Sequence, residues 1–273
     1  MKDNKITFWG VRGSFPTPDK DKMNVGGHTS CVSLETQKSI VIMDMGTGMK
    51  NLGDKIISNP NSPKKIDIIM SHFHLDHILG FPMFAPLFSE NFEINIYCNN
   101  LDIDLKEILN QLLNPIFWPI SINDFKAKIN FINLKKNEFK ISDKISIKTQ
   151  IHYHPNDAYG YRITTNDKVI SYVTDCEYKN DVPEKNLENF VNGSDLLIHD
   201  SHFTPEDLPS HKGWGHCSWM QAIDLTMKSN SKQLALFHHN PNYTDSQIDV
   251  IEKKAKKVFN NLFVARQGLV IYL

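Results

Sequence analysis

The sequence predicts an α/β domain in which two β-sheets pack together with helices on their outer sides. Three observations support this. Short apolar runs of strand length recur between turn-forming segments along the whole chain. Helical spacing is confined to a few segments set between those runs. No long linker, repeat or low-complexity tract divides the 273 residues, so residues 1–273 are expected to form one domain.

Taken in order, Ile6 to Trp9 reads as a strand and Gly10-Val11-Arg12-Gly13-Ser14 as a turn, followed by a polar loop to Gly27. Cys31 to Glu35 and Ser39 to Met43 read as a hairpin ending at Asp44, and Met49 to Ser58 has helical spacing. Ile66 to Met70 is apolar throughout, as a strand buried on both faces should be. Pro82 and Pro86 predict short broken helices up to Phe88. Glu93 to Cys98 is a further strand and Leu101 to Leu113 a helix. Three β-like runs fill the stretch from Ile116 to Ile151, the last alternating cleanly from Ile145. Gly160 to Thr164 and Lys168 to Thr174 form a hairpin leading into Asp175. Strands at Leu196 to His199 and Gln233 to Phe237, and helices at Ser218 to Ser229 and Ser246 to Phe259, complete the reading.

Composition narrows the function. Hydrophobic residues make up 40% of the chain, enough for a substantial core. Lys+Arg total 30 against Asp+Glu at 31, a net charge of -1, which argues against a surface built to coat nucleic acid. A stable nucleic-acid complex is therefore not expected, although tRNA stays open as a substrate. Cys31, Cys98, Cys176 and Cys217 form no C-x-x-C pair, so neither a disulfide framework nor a zinc knuckle is read from them. No apolar window reaches membrane-spanning length. A reduced cytoplasmic protein is expected, in the host cytoplasm if the chain is viral.

The strongest chemical signal is Ser71-His72-Phe73-His74-Leu75-Asp76-His77, four candidate ligands directly after an apolar strand. Imidazole and carboxylate suit zinc, manganese or iron. His72 and His74 can point the same way on extended chain, and a tight turn can bring Asp76 and His77 round to a neighbouring ion. His154, Asp175 and His238 repeat the pattern of a ligand type following an apolar strand.

The H-x-H-x-D-H motif with later His, Asp and His resembles the metallo-β-lactamase-fold hydrolases over essentially the whole chain. The resemblance implies a four-layer αββα sandwich. It implies two divalent ions, zinc first and manganese second. His72, His74 and His154 would hold one ion, and Asp76, His77 and His238 the other, with Asp175 bridging. Asp44 would support the metal loop without binding metal. Asp76 would also orient or deprotonate the attacking water. His154 is preferred to His152 because it precedes Pro155 and the run to Gly160-Tyr161, as in the tRNA 3′-processing endonucleases. His238 is similarly preferred to His239.

His199-Asp200-Ser201-His202-Phe203 and Gly215-His216-Cys217-Ser218 are similar to the His-Glu-Ala and Gly-His-Ser elements of those endonucleases. There the second histidine contacts the scissile phosphate, so His216 is the candidate that assists the leaving oxygen. Asp200 stands where the glutamate is usual, and no long basic arm for gripping tRNA is apparent. The opening Trp9 to Pro18 with Gly26 to Cys31 resembles a branch of cyclic-nucleotide phosphodiesterases, including phage enzymes that destroy immune signals. This resemblance implies hydrolysis of 3′,5′-cyclic nucleotides to monophosphates through a metal-bound hydroxide, with tRNA 3′ processing or a silent nucleotide-binding protein as alternatives. Arg12, Gly27, His28 and Tyr159 are the expected substrate contacts, with a structural salt bridge as the alternative for Arg12 and a capped-loop histidine for His28, and Phe15, Trp118 and Trp214 are further stacking candidates. A homodimer is implied, in which residues 12–28 or 155–161 reach the neighbouring site.

Overall fold

A computed structural model describes residues 4–99 and 104–273. Two seven-stranded sheets face one another. In chain order the first contains β1 (Lys5–Gly10), β2 (Cys31–Glu35), β3 (Ile40–Met43), β4 (Lys65–Ile69), β5 (Glu93–Cys98) and β6 (Lys128–Asn133). Its seventh strand is β14 (Val270–Tyr272), beside β1. The second holds β7 (Glu138–Ser142), β8 (Ile145–His152), β9 (Ala158–Thr164), β10 (Val169–Val173), β11 (Leu196–Asp200), β12 (Leu234–Phe237) and β13 (Leu262–Val264).

Each sheet is antiparallel over one half and parallel over the other. In the first, β3 to β6 run parallel, and in the second, β10 to β13 do. Parallel strands deliver their carboxyl ends to one edge, where the loops of an α/β sheet form ligand sites. β3 and β12 are buried at every position, which explains their continuous apolar sequences. Phe8, Tyr161, Tyr172 and Phe237 are wholly buried and belong to one core cluster.

The helices are α1 (Met49–Ser58), α2 (Leu75–Ile78), α3 (Leu105–Leu112), α4 (Lys185–Val191), α5 (Trp219–Lys228) and α6 (Asp245–Val258). Met49, Leu52 and Ile56 of α1 and Leu105 and Leu109 of α3 join a second cluster with β4 and β5. Ala222, Ile223 and Leu225 of α5 and Ile248, Ile251 and Ala255 of α6 join the first. Two sheets with helices outside is the predicted αββα arrangement. α5 and α6 begin at Ser218 and Thr244, each in a reciprocal capping box with a glutamine at the third helical position.

The expected strands all form, within a residue or two of their predicted limits. The predicted helix from Leu101 is observed from Leu105, capped by the Asp104 side chain, while residues 101–103 lie outside the described residues. α4, β13 and β14 were not anticipated. Among the described residues no helix is long and apolar enough to cross a membrane.

Candidate metal centre

The centre is assembled where five parallel strands end. β3 leads into Asp44, β4 into Ser71 and His72, and β10 into Asp175, while β11 ends on Asp200 and β12 leads into His238. His154 comes from the β8–β9 turn, His74 precedes α2, and Asp76 and His77 lie on it. The spacing in the motif thus works as expected: extended chain through His72 and His74, then a helical turn.

Two groups of ligand atoms result, each with members within 4.8 Å of one another: His72, His74 and His154, and Asp76, His77, Asp175 and His238. Asp175 lies between them. Its Oδ1 is 3.8 Å from both His72 Nε2 and His154 Nε2, and its Oδ2 is 3.1 Å from His77 Nε2 and 3.3 Å from His238 Nε2. Asp76 Oδ2 approaches His238 Nε2 at 3.1 Å and also accepts from the Ser14 backbone N–H at 2.7 Å.

Hydrogen bonds fix which ring nitrogens are available. His154 Nδ1 lies 2.8 Å from the Gly215 carbonyl, which can only accept, so the neutral ring presents its Nε2 lone pair to His74 Nδ1 at 3.0 Å. His77 Nδ1 faces Asp44 Oδ2 at 2.8 Å, leaving its Nε2 beside His238 Nε2 at 3.3 Å. His72 Nε2 is buried with no hydrogen-bond partner among the described residues. Lone pairs and carboxylates facing one another in a buried space repel unless a cation lies between them. A nitrogen and oxygen donor set with a carboxylate or carbonyl behind the imidazoles fits divalent metal ions, zinc included.

Asp44 is the main support. Its carboxylate accepts from the Ser71 backbone N–H at 2.7 Å, the Ser71 hydroxyl at 2.8 Å and the Tyr172 hydroxyl at 2.7 Å, besides orienting His77. Sequence reading gave no hint of Tyr172, since a tyrosine in an alternating strand looks like core. Gly13 is required by space: a Cβ there would meet His238 Cε1 at 2.4 Å.

The centre's own charges act on its protons. Burial lowers the His77 pKa, but Asp76, Asp175 and Asp44 outweigh it and hold it well above the ordinary value. Burial dominates at His72 and keeps it well below, and at His154 it pushes the value down to about 4. Burial also opposes charge on His216, yet Asp200, then Asp175 and Asp76, raise it to about 9.

His216 sits on the Asp175 side of the centre. Its Nδ1 is 2.8 Å from Asp200 Oδ2 and 3.9 Å from Asp175 Oδ1. The ring stacks on His202, with centroids 4.2 Å apart and planes 14° apart. His202 Nδ1 in turn donates to the His238 carbonyl at 3.0 Å. Asp200 Oδ1 accepts from the backbone of His202 and Cys217 at 3.0 and 3.1 Å. The aspartate that replaces the usual glutamate therefore reaches His216 directly.

The expected substrate contacts fare unevenly. Arg12 is a correction. Its side chain is wholly buried and donates to the carbonyls of Gly26, Asn240, Tyr243 and Lys22, with Asp245 at 3.8 Å. It fastens loops together and presents nothing to a substrate. Gly27 is buried, and a Cβ there would meet the Thr17 carbonyl at 2.1 Å, so its small size serves loop packing. His28 is half-buried, with Nδ1 3.1 Å from the Thr47 hydroxyl. Burial, then Lys50, lowers its pKa. Tyr159 lines a cavity of about 190 Å³ shared with His72, Phe73, His74 and Ile108. His152 Nε2 donates to Thr174 O (2.9 Å) and His239 Nε2 to Ala265 O (3.0 Å), each turned to backbone and neither part of the two ligand groups.

Fold and site define a metal-dependent hydrolase built on two mixed sheets. The beta-lactamase superfamily domain matches residues 41–239, and the chain belongs to that superfamily. The ribonuclease Z of Picrophilus torridus is 25% identical, with 97% of this chain and 94% of that protein covered. That alignment runs over 311 residues against a chain of 273, so part of it has no counterpart here. The Bacillus subtilis metallo-beta-lactamase fold protein YhfI shares the fold with a TM-score of 0.74 at 20% identity, over 98% of this chain and 99% of that one. A diphosphatase from the PhnP family does so with a TM-score of 0.71 at 17% identity, over 98% and 96%.

Proposed function

We propose that this protein is a metal-dependent phosphodiesterase acting on ribonucleotide phosphodiester bonds. The observation that carries the reading is the Asp200–His216 pair beside Asp175 and His238. His72, His74 and His154 would hold one ion, and Asp76, His77, Asp175 and His238 a second. Bound there, the ions would polarise a phosphoryl oxygen and acidify water.

The chain's own groups supply the rest. Asp200 commits His216 Nδ1 and leaves Nε2 for the substrate. A charged imidazole beside the phosphoryl group stabilises developing charge and can give its proton to the departing ribose oxygen. Asp76 Oδ2 is held by the Ser14 backbone N–H beside His77 and His238, where the carboxylate would ligate an ion and orient the attacking water. Trp214, 61% exposed, lies two residues before His216 and offers a flat apolar face to a base.

Cleavage at an RNA 3′ end has the support of the relatives' name and their near-complete coverage. Cyclic nucleotides, the first expectation from sequence, gain no such support. They stay as a second reading because part of the ribonuclease Z alignment has no counterpart here and the net charge is only -1. A homodimer also belongs to the reading, and sedimentation as a monomer would remove it.

The test is to incubate metal-loaded protein with bis(p-nitrophenyl) phosphate, precursor tRNA and a panel of cyclic mononucleotides. Turnover of the first is expected, and the RNA or cyclic product identifies the substrate. No turnover of any of them by fully loaded protein would overturn the proposal.

A further inference from the structure

Behind the metal centre lies a second cluster that the proposed chemistry does not use. Cys176, His199 and Cys217 bring two sulfurs and a ring nitrogen within 4.8 Å of one another. Their relative exposures are 1%, 0% and 0%. Each is the sequence neighbour of a residue in the group formed by Asp175, Asp200, His216 and His238. Neighbouring side chains on extended backbone point to opposite faces. His199 and Asp200 do so on β11, while Cys176 and Cys217 follow Asp175 and His216 directly in the adjoining loops.

The histidine is already oriented as a ligand. His199 Nδ1 lies 2.7 Å from the Asp200 carbonyl, which can only accept, so the neutral ring keeps its lone pair on Nε2. That nitrogen now faces the Tyr178 hydroxyl at 2.9 Å, and Tyr178 is itself buried. Two thiols, an imidazole lone pair and a phenol oxygen therefore meet in a buried space.

We propose that Cys176 Sγ, Cys217 Sγ and His199 Nε2 form a separate structural zinc site, with the Tyr178 oxygen beside it in the place of a fourth ligand. Ligand atoms around tetrahedral zinc, with Zn–S of about 2.3 Å, sit roughly 3.5–4 Å apart. The three ligand atoms lie within 4.8 Å of one another, a limit that admits this spacing. Each thiol gives up its proton to solvent as the ion binds, and two thiolates then balance the double positive charge. A neutral cluster suits a buried site. Because the site is enclosed, the ion enters as the chain folds. Its effect would be to fix the backbone that carries Asp175, Asp200 and His216. This proposal is independent of the substrate.

The full chain is refolded with cobalt(II) in place of zinc, and its near-ultraviolet spectrum and metal content are measured. Thiolate ligation gives a sulfur-to-cobalt charge-transfer band, which the cysteine-free hydrolytic centre cannot produce. The band is expected in wild type and in His72→Ala, and lost in Cys176→Ser/Cys217→Ser together with one ion per chain. Folded, cobalt-loaded wild type without the band would overturn the proposal, whether or not the double variant folds. A band that survives in the double variant would do the same.

Discussion

Asp200 Oδ2 and His216 Nδ1 are 2.8 Å apart, and the same carboxylate oxygen accepts from the backbone N–H of Asp175 at 3.1 Å. One side chain thus orients the candidate proton donor and the strand end carrying the candidate bridging ligand.

His216→Ala should cut phosphodiester hydrolysis by about tenfold or more while metal content stays unchanged. Steady-state rates on bis(p-nitrophenyl) phosphate, with elemental analysis of the same sample, check it. Normal turnover would remove His216 from the chemistry.

Asp44→Ala should weaken metal binding by roughly 10- to 100-fold, because His77 loses its acceptor and the Ser71 and Tyr172 donors lose theirs. Competition with a chromogenic chelator measures this. Unchanged affinity would mean that the ligands hold their positions without Asp44.

Trp214 stands on a stiff loop: Glu177 accepts from the backbone N–H of Gly213 at 2.8 Å and of Gly215 at 2.7 Å. The edge-on His211 ring, centroid 4.8 Å away, supports the indole and is itself stacked on Phe203 at 4.5 Å. Trp214→Ala should raise KM for a nucleotide substrate by roughly 5- to 150-fold, the worth of one stacked base, with kcat little changed. An unaltered KM for the best nucleotide in the panel would count against stacking there.

Arg12→Lys should destabilise the fold by roughly 3 kcal/mol or more, since a single ammonium cannot serve the carbonyls that the guanidinium fork reaches. Denaturant unfolding reads the loss. A stable variant with impaired substrate binding would instead return Arg12 to the substrate.

These predictions divide along what the sequence could convey. The grouping of candidate ligands was legible because His72 to His77 lie within one short stretch, and because His154, Asp175 and His238 follow apolar strands. Asp44 was legible through resemblance. Arg12 was left open between substrate and salt bridge because a guanidinium in a glycine-rich turn looks the same on paper whether it faces solvent or is sealed by a distant segment around Asn240 and Tyr243. The Cys176, His199 and Cys217 cluster was invisible for a similar reason, as its members are 18 or more positions apart in sequence and meet only when β11 is laid beside β10. β13 and β14, three residues each, are too short to display an alternation.

His239 gives a prediction in pH. Burial, followed by Arg12, pushes its pKa down to about 3, against about 6.5 for an unfolded histidine. Between those values the unfolded chain binds the extra proton, so stability is present above the unfolded pKa and is lost as pH falls toward 3. His239→Gln, which keeps a donor for the Ala265 carbonyl, should flatten the decline of the unfolding midpoint below about pH 6.5 in metal-free protein. An identical decline in both proteins would assign the acid sensitivity to other groups.

Asp44, Asp175 and His238 each follow a strand with left-handed backbone, at φ of 61°, 53° and 58°. Among non-glycine residues only asparagine, aspartate and histidine visit that region with any ease. Sequence drift at these three corners is therefore confined to a very small alphabet even in a descendant that no longer needs catalysis. A lineage that abandoned the reaction would be expected to keep an asparagine or glycine there, leaving a readable trace of the ancestral centre after its chemistry had gone.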